Sequence, residues 1–212
     1  MDAALLDELT SRAHGLVTDG RRALLGLAGA PGAGKTTLAA ALVDRLRRDG
    51  LAVAHVPMDG FHLADAALTE HGMLERKGAI ETFDAHGYLA LLRRLRSELD
   101  HDVFAPDFER TLEQPVAGAI TVRPHDRLVV TEGNYLLDEH GAWPEVRAAL
   151  DETWFVDVPD DVRVERLVRR HVEFGKPEAA ARAWVTRVDE PNARRVIARR
   201  SAADLVVDGA ST

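Results

Sequence analysis

The amino-acid sequence predicts an α/β protein built on a doubly wound, mostly parallel sheet of five strands. Three observations support this class. Five apolar runs alternate with segments of helical periodicity, as in chains whose strands are joined by helices. The runs are almost continuously hydrophobic, which is typical of strands covered on both faces. A glycine-rich loop joins the first run to the first long helix. The predicted strands lie at residues 23–29, 51–58, 127–133, 153–159 and 203–209.

The helices follow from apolar spacing and from residues that begin or end a helix. Residues 35–50 form a helical pattern that ends at Gly50, and residues 160–175 form one that ends at Gly175. A third pattern covers residues 84–99, with Asp84 as a candidate N-cap. The segment from Val103 to Val122 does not fit a simple crossover, so we expect an insertion at about residues 103–124, as a hairpin.

Composition limits the classes of protein that need to be considered. The chain has 212 residues and no low-complexity linker, which predicts one domain over residues 1–212. Its formal charge of −8 argues against general nucleic-acid binding, and the absence of cysteine excludes disulfides and thiol catalysis. No apolar run approaches the roughly 18 residues of a membrane span. These features predict a cytoplasmic protein that does not bind membranes, and they leave a homodimer undecided.

The loop between the first strand and the first long helix matches the phosphate-binding pattern G-x-x-x-x-G-K-[ST]. Its glycines allow backbone N–H groups to turn toward an anion, its lysine reaches the β and γ phosphates, and Thr36 is a ligand for Mg²⁺. The alternative is an ordinary glycine-rich turn. The pattern predicts a binding site for ATP and Mg²⁺ at Gly29, Ala30, Pro31, Gly32, Ala33, Gly34, Lys35, Thr36 and Thr37.

Two acidic residues follow predicted strands at the edge where this loop begins. Asp59 comes directly after the second run, where a carboxylate can accept the proton of an attacking hydroxyl. The alternative is a turn aspartate before Gly60. Glu132 ends the third run, in the position of a carboxylate that holds Mg²⁺, and the alternative is a strand-end residue that caps a loop. We expect Thr36, Glu132 and Asp59 to surround the metal.

The last third of the chain is rich in arginine. Residues 163–200 contain eleven Arg and Lys against five Asp and Glu, in a protein that is acidic overall. Arg163, Arg166 and Arg170 share one helix face, whereas Arg169 points elsewhere. Such a face predicts a lid at about residues 160–190 that binds ATP phosphates. The alternative is a charged surface paired with acidic neighbours and solvent.

Together these segments resemble the uridine kinase, phosphoribulokinase and pantothenate kinase group. The resemblance rests on GAPGAGKTT, MDGFHL, RKGAIETFD, TEGNYLL, DVRVERLVRRHVEFGK and RVDEPNARRVI, and it covers the chain from about residue 20 onward. It is strongest to bacterial nucleoside/nucleotide kinases and fructose-transport kinases. It implies a P-loop NTPase fold with an arginine-rich helical lid, and ATP-dependent phosphorylation of a hydroxyl on a small molecule.

The resemblance also implies roles for individual residues. Asp59 would be the catalytic base, Glu132 would lie near Mg²⁺, and Arg166 and Arg170 would act with Lys35 on the phosphates. The acceptor pocket would be formed by His62, Arg76, Lys77, Asp84, Phe108 and Arg110. For each of these residues the alternative is a structural role, as a helix cap, a surface charge or a core side chain.

The acceptor itself is not specified by these motifs. A nucleoside-like acceptor is the first expectation, although APDFERTLEQP does not reproduce the tyrosine and histidine pattern that is usual in uridine kinases. A fructose- or ribulose-type sugar, or a pantothenate-type alcohol, is the alternative. The hypotheses outside the kinases are a P-loop ATPase and a nucleotide-binding regulator. A GTPase is disfavoured because the chain has no N-K-x-D segment.

Overall fold

The computed structural model describes residues 2–211, which form an α/β structure with seven strands and eight α-helices in that range. The strands are β1 (Ala23–Ala28), β2 (Val53–His55), β3 (Val103–Glu109), β4 (Gln114–Val122), β5 (Leu128–Gly133), β6 (Glu152–Asp157) and β7 (Leu205–Asp208). The helices are α1 (Ala3–Gly15), α2 (Lys35–Arg48), α3 (Asp65–Glu70), α4 (Ala85–Ser97), α5 (Trp143–Ala149), α6 (Asp160–Glu173), α7 (Glu178–Trp184) and α8 (Glu190–Ile197).

Five parallel strands form the central sheet in the order β2-β5-β1-β6-β7. All five predicted strands are confirmed, and β1, which leads into the phosphate-binding loop, lies in the middle of the sheet. The second strand is shorter than predicted, because the chain leaves the sheet at Pro57 and enters a 3₁₀ turn over Met58–Phe61. Since parallel strands end at one edge, the loops after β1, β2 and β5 meet there.

Helices cover both faces of the sheet, which explains why the strands are hydrophobic throughout. In β1, Leu25 and Leu27 pack with α1 and α2, whereas Leu24 and Ala28 belong to the core formed with α4, α5 and α8. In β6, Trp154 and Phe155 divide between the two cores in the same way. Burying one large apolar side chain is worth about 1.5–3 kcal/mol, so these two cores hold the site-bearing edge of the sheet in place.

The segment predicted as an insertion is a hairpin of β3 and β4. It packs against the 3₁₀ turn that carries Asp59, and the approach is close. A Cβ on Gly60 would lie 2.3 Å from the carbonyl oxygen of Pro106. The glycine after Asp59 is therefore required by this packing as well as by the turn. At the hairpin tip, Glu113 has a φ of 53°, in the left-handed region.

The arginine-rich segment folds as α6, α7, a π-helical turn over Val185–Asp189, and α8. Helix α6 ends before Gly175, whose φ is 92°. Arg163 does not project from this segment. It is buried beneath the phosphate-binding loop and pairs with Asp160 and Glu190, so it joins α6 to α8.

A second buried arginine fastens the beginning of the sheet. Arg22 is 1% exposed and donates hydrogen bonds to the backbone carbonyl oxygens of Leu95 (2.8 Å), Arg123 (2.7 Å) and Asp126 (2.9 Å). It thereby joins the start of β1 to the end of α4 and to the turn before β5. Across residues 2–211, none of the helices combines the length and the apolar character needed to cross a membrane.

Candidate active site

A cavity of about 420 Å³ lies at the carboxyl edge of the sheet, between the phosphate-binding loop, the hairpin and the arginine-rich helices. Charged side chains approach it from every side. The phosphate-binding loop contributes Gly32, Lys35 and Thr36, and the ends of β2 and β5 contribute Asp59 and Glu132. The cavity is therefore formed by the loops that parallel strand order brings together.

The phosphate-binding loop has the shape of an anion cradle. Gly32 and Gly34 have φ values of 81° and 91°, which turns consecutive backbone N–H groups toward one side. A Cβ on Gly32 would lie 2.8 Å from the carbonyl oxygen of Arg163, so a larger residue would separate the loop from α6. Helix α2 begins at Lys35 and directs its N-terminus at the same place. The residues present therefore fit the phosphates of a nucleoside triphosphate.

Lys35 is held in a defined position inside the site. It is 8% exposed, and its Nζ donates to Asn134 Oδ1 at 2.7 Å and to the carbonyl oxygen of Ala30 at 3.1 Å. Burial lowers the pKa of Lys35, and the neighbouring carboxylates of Glu132 and Asp59 oppose that shift. Its ammonium group is thus desolvated and oriented, which strengthens its attraction for a phosphate.

Glu132 and Thr36 supply oxygen donors of the kind that Mg²⁺ prefers. Glu132 is 4% exposed, and Thr36 Oγ1 donates to its Oε1 at 2.9 Å. Burial and the nearby Asp59 carboxylate raise the pKa of Glu132, because two anions share a space with little water. A divalent cation would relieve this repulsion. Within residues 2–211 no group of three or more His, Cys, Asp or Glu side chains could hold a metal. A magnesium ion here would therefore depend on phosphate oxygens and water as well.

Asp59 lies in the cavity between the phosphate-binding loop and the hairpin. Its Oδ2 accepts a long hydrogen bond of 3.3 Å from Arg110 Nη2 on the hairpin. Its side chain is 27% exposed, so a small molecule can reach it. Asp59 also acts electrostatically on both Lys35 and Glu132, which places it beside the phosphate-binding residues.

The part of the cavity lined by the predicted acceptor residues, named here the acceptor part, combines aromatic and charged groups. The His62 ring lies between Phe83, at a centroid distance of 4.0 Å, and Phe108, at 4.8 Å. Burial lowers the pKa of His62, which favours a neutral imidazole at neutral pH. Lys77 Nζ donates to Asp65 Oδ1 at 2.6 Å and to the carbonyl oxygen of Glu113 at the hairpin tip. Lys77 thus joins three separate segments around this space.

The arginine-rich helices close the remaining side. Arg170 lines the cavity and acts electrostatically on Lys35, so it lies within reach of the phosphate end. His171 Nε2 pairs with Asp189 Oδ2 at 2.9 Å, which joins α6 to the π-helical turn. Lys176 Nζ lies 5.0 Å above the Trp184 ring. Turns of π-helix often occur at functional sites, and this one places Asp189 at the cavity wall.

The structure brings many of the predicted site residues together at one cavity, but three candidates from other segments lie elsewhere. The loop residues Gly29, Ala30, Ala33, Gly34 and Thr37 are also not part of the cavity lining. Lys35, Thr36, Asp59, Glu132 and Arg170 meet around one cavity, together with four acceptor candidates: His62, Lys77, Phe108 and Arg110. Arg76 is exposed and pairs with Glu81 beside a neighbouring depression. Asp84 is exposed and caps α4 through a 2.8 Å hydrogen bond from the N–H of Gly87. Arg166 is half-buried and lies outside the described cavity lining.

Several side chains that line this cavity were not predicted from the sequence. Asn134 orients Lys35, Asp65 pairs with Lys77, and His171 pairs with Asp189. Asn192, also on the cavity wall, donates to the carbonyl oxygen of Gly78 at 3.3 Å. Of these residues, Asn134 alone had a signal in the sequence. It follows the acidic strand end, and a buried lysine needs an oxygen partner.

Comparison with known proteins agrees with this geometry. The model of the Phosphoribulokinase / Uridine kinase family matches residues 24–212. A Schizosaccharomyces pombe protein named as a putative uridine kinase is 35% identical over 180 residues, covering 82% of this chain and 77% of its own. The Escherichia coli protein YggC, which is uncharacterized, is 34% identical over 190 residues, with 89% and 78% covered.

A solved structure shows the same architecture. The crystal structure named as a putative fructose transport system kinase from Silicibacter sp. TM1040 superimposes with a TM-score of 0.88. It is 38% identical, and the match covers 95% of this chain and 98% of that one. Both the family model and this structure span the phosphate-binding loop, the hairpin and the arginine-rich helices.

Proposed function

Because the chain belongs to the phosphoribulokinase and uridine kinase family of P-loop kinases, we propose that it transfers the γ-phosphate of ATP to a hydroxyl group of a small-molecule acceptor. The observation that carries this proposal is the position of Asp59. This carboxylate lies between the phosphate-binding residues and a separate aromatic and charged space, and it is accessible from the cavity. An ATPase that transfers phosphate to water has no need of that second space.

Each residue of the phosphate end has a physical task in this reaction. Lys35 and the N-terminus of α2 bind the phosphates, and Arg170 adds a guanidinium group that can stabilise charge on the transferred phosphoryl group. Asn134 keeps the Lys35 ammonium oriented. Thr36 and Glu132 would hold Mg²⁺, which supplies charge neutralisation on phosphate oxygens when it is bound.

At the acceptor end, Asp59 would orient the attacking hydroxyl and take its proton. Arg110 holds Asp59 in place, and the His62 Nδ1 lies 2.8 Å from the backbone oxygen of Asp59. The arginine-rich helices would exclude water, so that phosphate is transferred to the acceptor rather than to solvent. Among acceptors, a nucleoside-like molecule remains the first candidate of the sequence analysis, and a sugar or a pantothenate-type alcohol remains the alternative.

The test is a mass-spectrometric screen of purified protein with MgATP and pooled nucleosides, sugars, polyols and pantothenate. We expect one compound to gain a phosphoryl group while an equal amount of ADP appears. The Lys35→Ala variant should abolish both signals, which controls for contaminating kinases. ADP formation that is matched by inorganic phosphate in every pool would contradict the proposal and favour an ATPase.

A further inference from the structure

The acceptor part of the cavity contains an ion pair to which the proposed function assigns no role. This pair is formed by Asp65 at the start of α3 and Lys77 in the loop that follows α3. On the premise of the proposed kinase activity, we infer that the acceptor is an uncharged polyhydroxylated molecule. Two adjacent hydroxyl groups of that molecule bind the Asp65–Lys77 pair while a third is phosphorylated beside Asp59.

Both cations of the acceptor part already have carboxylate partners. Lys77 Nζ lies 2.6 Å from Asp65 Oδ1, and Arg110 Nη2 lies 3.3 Å from Asp59 Oδ2. Lys77 is well shielded, with 15% of its side chain exposed. A carboxylate or phosphate on the acceptor could reach the remaining donors of Lys77 and Arg110, but it would then lie beside the Asp65 and Asp59 carboxylates. These two negative charges would repel it, whereas an uncharged hydroxyl group meets no such repulsion.

The charges of the whole cavity support the same conclusion. Apart from the histidines, its described lining contains five cations and five carboxylates, so it is balanced before ATP binds. Lys35 and Arg170 serve the phosphate end, where the triphosphate brings its own negative charge. An anionic acceptor would add further negative charge close to those phosphates. The remaining cation, Lys176, lies over the Trp184 ring on the side of the arginine-rich helices.

Hydroxyl groups are suited to such a pair because each is both a donor and an acceptor. An ammonium group has three donors, and Lys77 uses two of them on Asp65 and on the carbonyl oxygen of Glu113. Asp65 retains further acceptor capacity and is 46% exposed. One hydroxyl can therefore donate to the carboxylate while its neighbour accepts from the ammonium, and neither ion loses its partner.

The loop that carries Lys77 is fixed from three directions. The next residue, Gly78, has a φ of 98°, and its N–H donates to Thr82 Oγ1 at 3.0 Å. Its carbonyl oxygen accepts from Tyr135 Oη at 2.7 Å and from Asn192 Nδ2 at 3.3 Å. This arrangement holds the ammonium group in position before an acceptor arrives, which lowers the entropic cost of binding.

Free sugars and the ribose of nucleosides both present such hydroxyl pairs. A nucleobase would be expected to stack on the ring of Phe108. That ring already has three neighbours, because Lys77 Nζ and Arg110 Cζ lie 5.5 and 5.9 Å from its centroid and His62 contacts it as well. The shared chemistry is therefore an uncharged polyol. The experiment below separates the two sources by testing both.

The test uses compounds in matched pairs that differ by one anionic group. Suitable pairs are uridine with uridine monophosphate, ribulose with ribulose 5-phosphate, glycerol with glycerate, and panthenol with pantothenate. With MgATP, we expect the best acceptor to be an uncharged member whose kcat/KM exceeds that of its anionic partner by about tenfold or more. Uridine as the best acceptor would identify a nucleoside kinase, and ribulose a sugar kinase, both in agreement with the inference.

Preferential phosphorylation of an anionic member would overturn the inference while leaving the proposed kinase function intact. If no compound is phosphorylated and no ADP forms, the proposed function itself fails and the inference falls with it. The two failures are thus distinguishable in one data set.

A variant tests the pair directly. Asp65→Asn removes the counter-charge of Lys77, and Glu70→Gln makes the same charge change at an exposed position of the same helix. For the uncharged acceptor, Asp65→Asn should raise KM about tenfold, the equivalent of one lost hydrogen bond. It should also narrow the preference over the anionic partner, and the KM for ATP should not change. Equal discrimination in Asp65→Asn, Glu70→Gln and the unmodified protein would contradict the assignment.

Discussion

Replacement of Asp59 by asparagine separates its chemical role from its structural one. Asparagine keeps the size of the side chain and one oxygen that can accept from Arg110, but it cannot take up the proton of a hydroxyl group. Loss of a general base lowers turnover by about 10²–10⁴-fold, which corresponds to roughly 2.7–5.4 kcal/mol in the barrier. Phosphoryl transfer has a loose transition state, so we expect the lower half of that range, about 10²–10³-fold.

The structural part of the effect should be small. The Asp59 and Arg110 side chains are 27% and 42% exposed, and an ion pair of that exposure contributes less than about 1 kcal/mol. Acceptor KM should therefore change by less than about fivefold. Asp59 also lies outside the direct hydrogen bonds of Lys35 to Ala30 and Asn134, so the affinity for MgATP should be retained.

The assay is rapid-quench measurement of phosphorylated acceptor under single-turnover conditions, with calorimetric titration of MgATP on the same preparation. Asp44→Asn, which makes the same change at an exposed position of α2, is the matched control. A turnover rate of Asp59→Asn within about threefold of the control would refute the role of Asp59 as a base.

Four further predictions test other parts of the account. Lys35→Ala should weaken MgATP binding by about 10–100-fold, since a charge-assisted hydrogen bond is lost, and calorimetry that finds equal affinity would contradict the phosphate assignment. Arg170→Ala should lower kcat by at least about tenfold, whereas Arg166→Ala, outside the cavity lining, should change it by less than about threefold; steady-state kinetics that reverse this order would refute the placement of the lid. Arg22→Met should lower the free energy of unfolding by about 3 kcal/mol in urea titration, because the carbonyl oxygens of Leu95, Arg123 and Asp126 lose their closest donor. Burial lowers the pKa of His55, so the unfolded chain binds a proton below about pH 6.5 before the folded protein does, and stability falls as the pH drops below that value. His55→Leu should reduce this fall, measured by urea titration at about pH 7.5 and about pH 5.5, and an unchanged fall would exclude His55 as its source.

The sequence was sufficient to predict the sheet and to predict which side chains meet at its carboxyl edge. Strand hydrophobicity, the phosphate-binding motif and the acidic strand ends are local signals, and parallel order brings Lys35, Asp59 and Glu132 to one edge. The hairpin was also predicted, because its pattern interrupts the alternation of strands and helices. These predictions needed no knowledge of how distant segments pack.

The acceptor part was harder to predict because its contacts join distant segments. Lys77 was selected, but its partners Asp65 and Glu113 lie 12 and 36 residues away. Helical spacing grouped Arg163 with Arg166 and Arg170, yet the close approach of Gly32 to α6 buries Arg163 and leaves only Arg170 at the cavity. Periodicity gives the face of a helix, and it does not give the depth at which each side chain is buried.

The most direct measurement of the central claim is the fate of the γ-phosphate. ATP labelled at that position is incubated with the protein and a panel of uncharged polyols and nucleosides, and the label is divided between acceptor and inorganic phosphate. The account predicts that the label moves to one acceptor in step with ADP formation, and that Asp59→Asn slows this transfer without loss of MgATP binding. Label recovered as inorganic phosphate, at a rate that no acceptor changes, would contradict it.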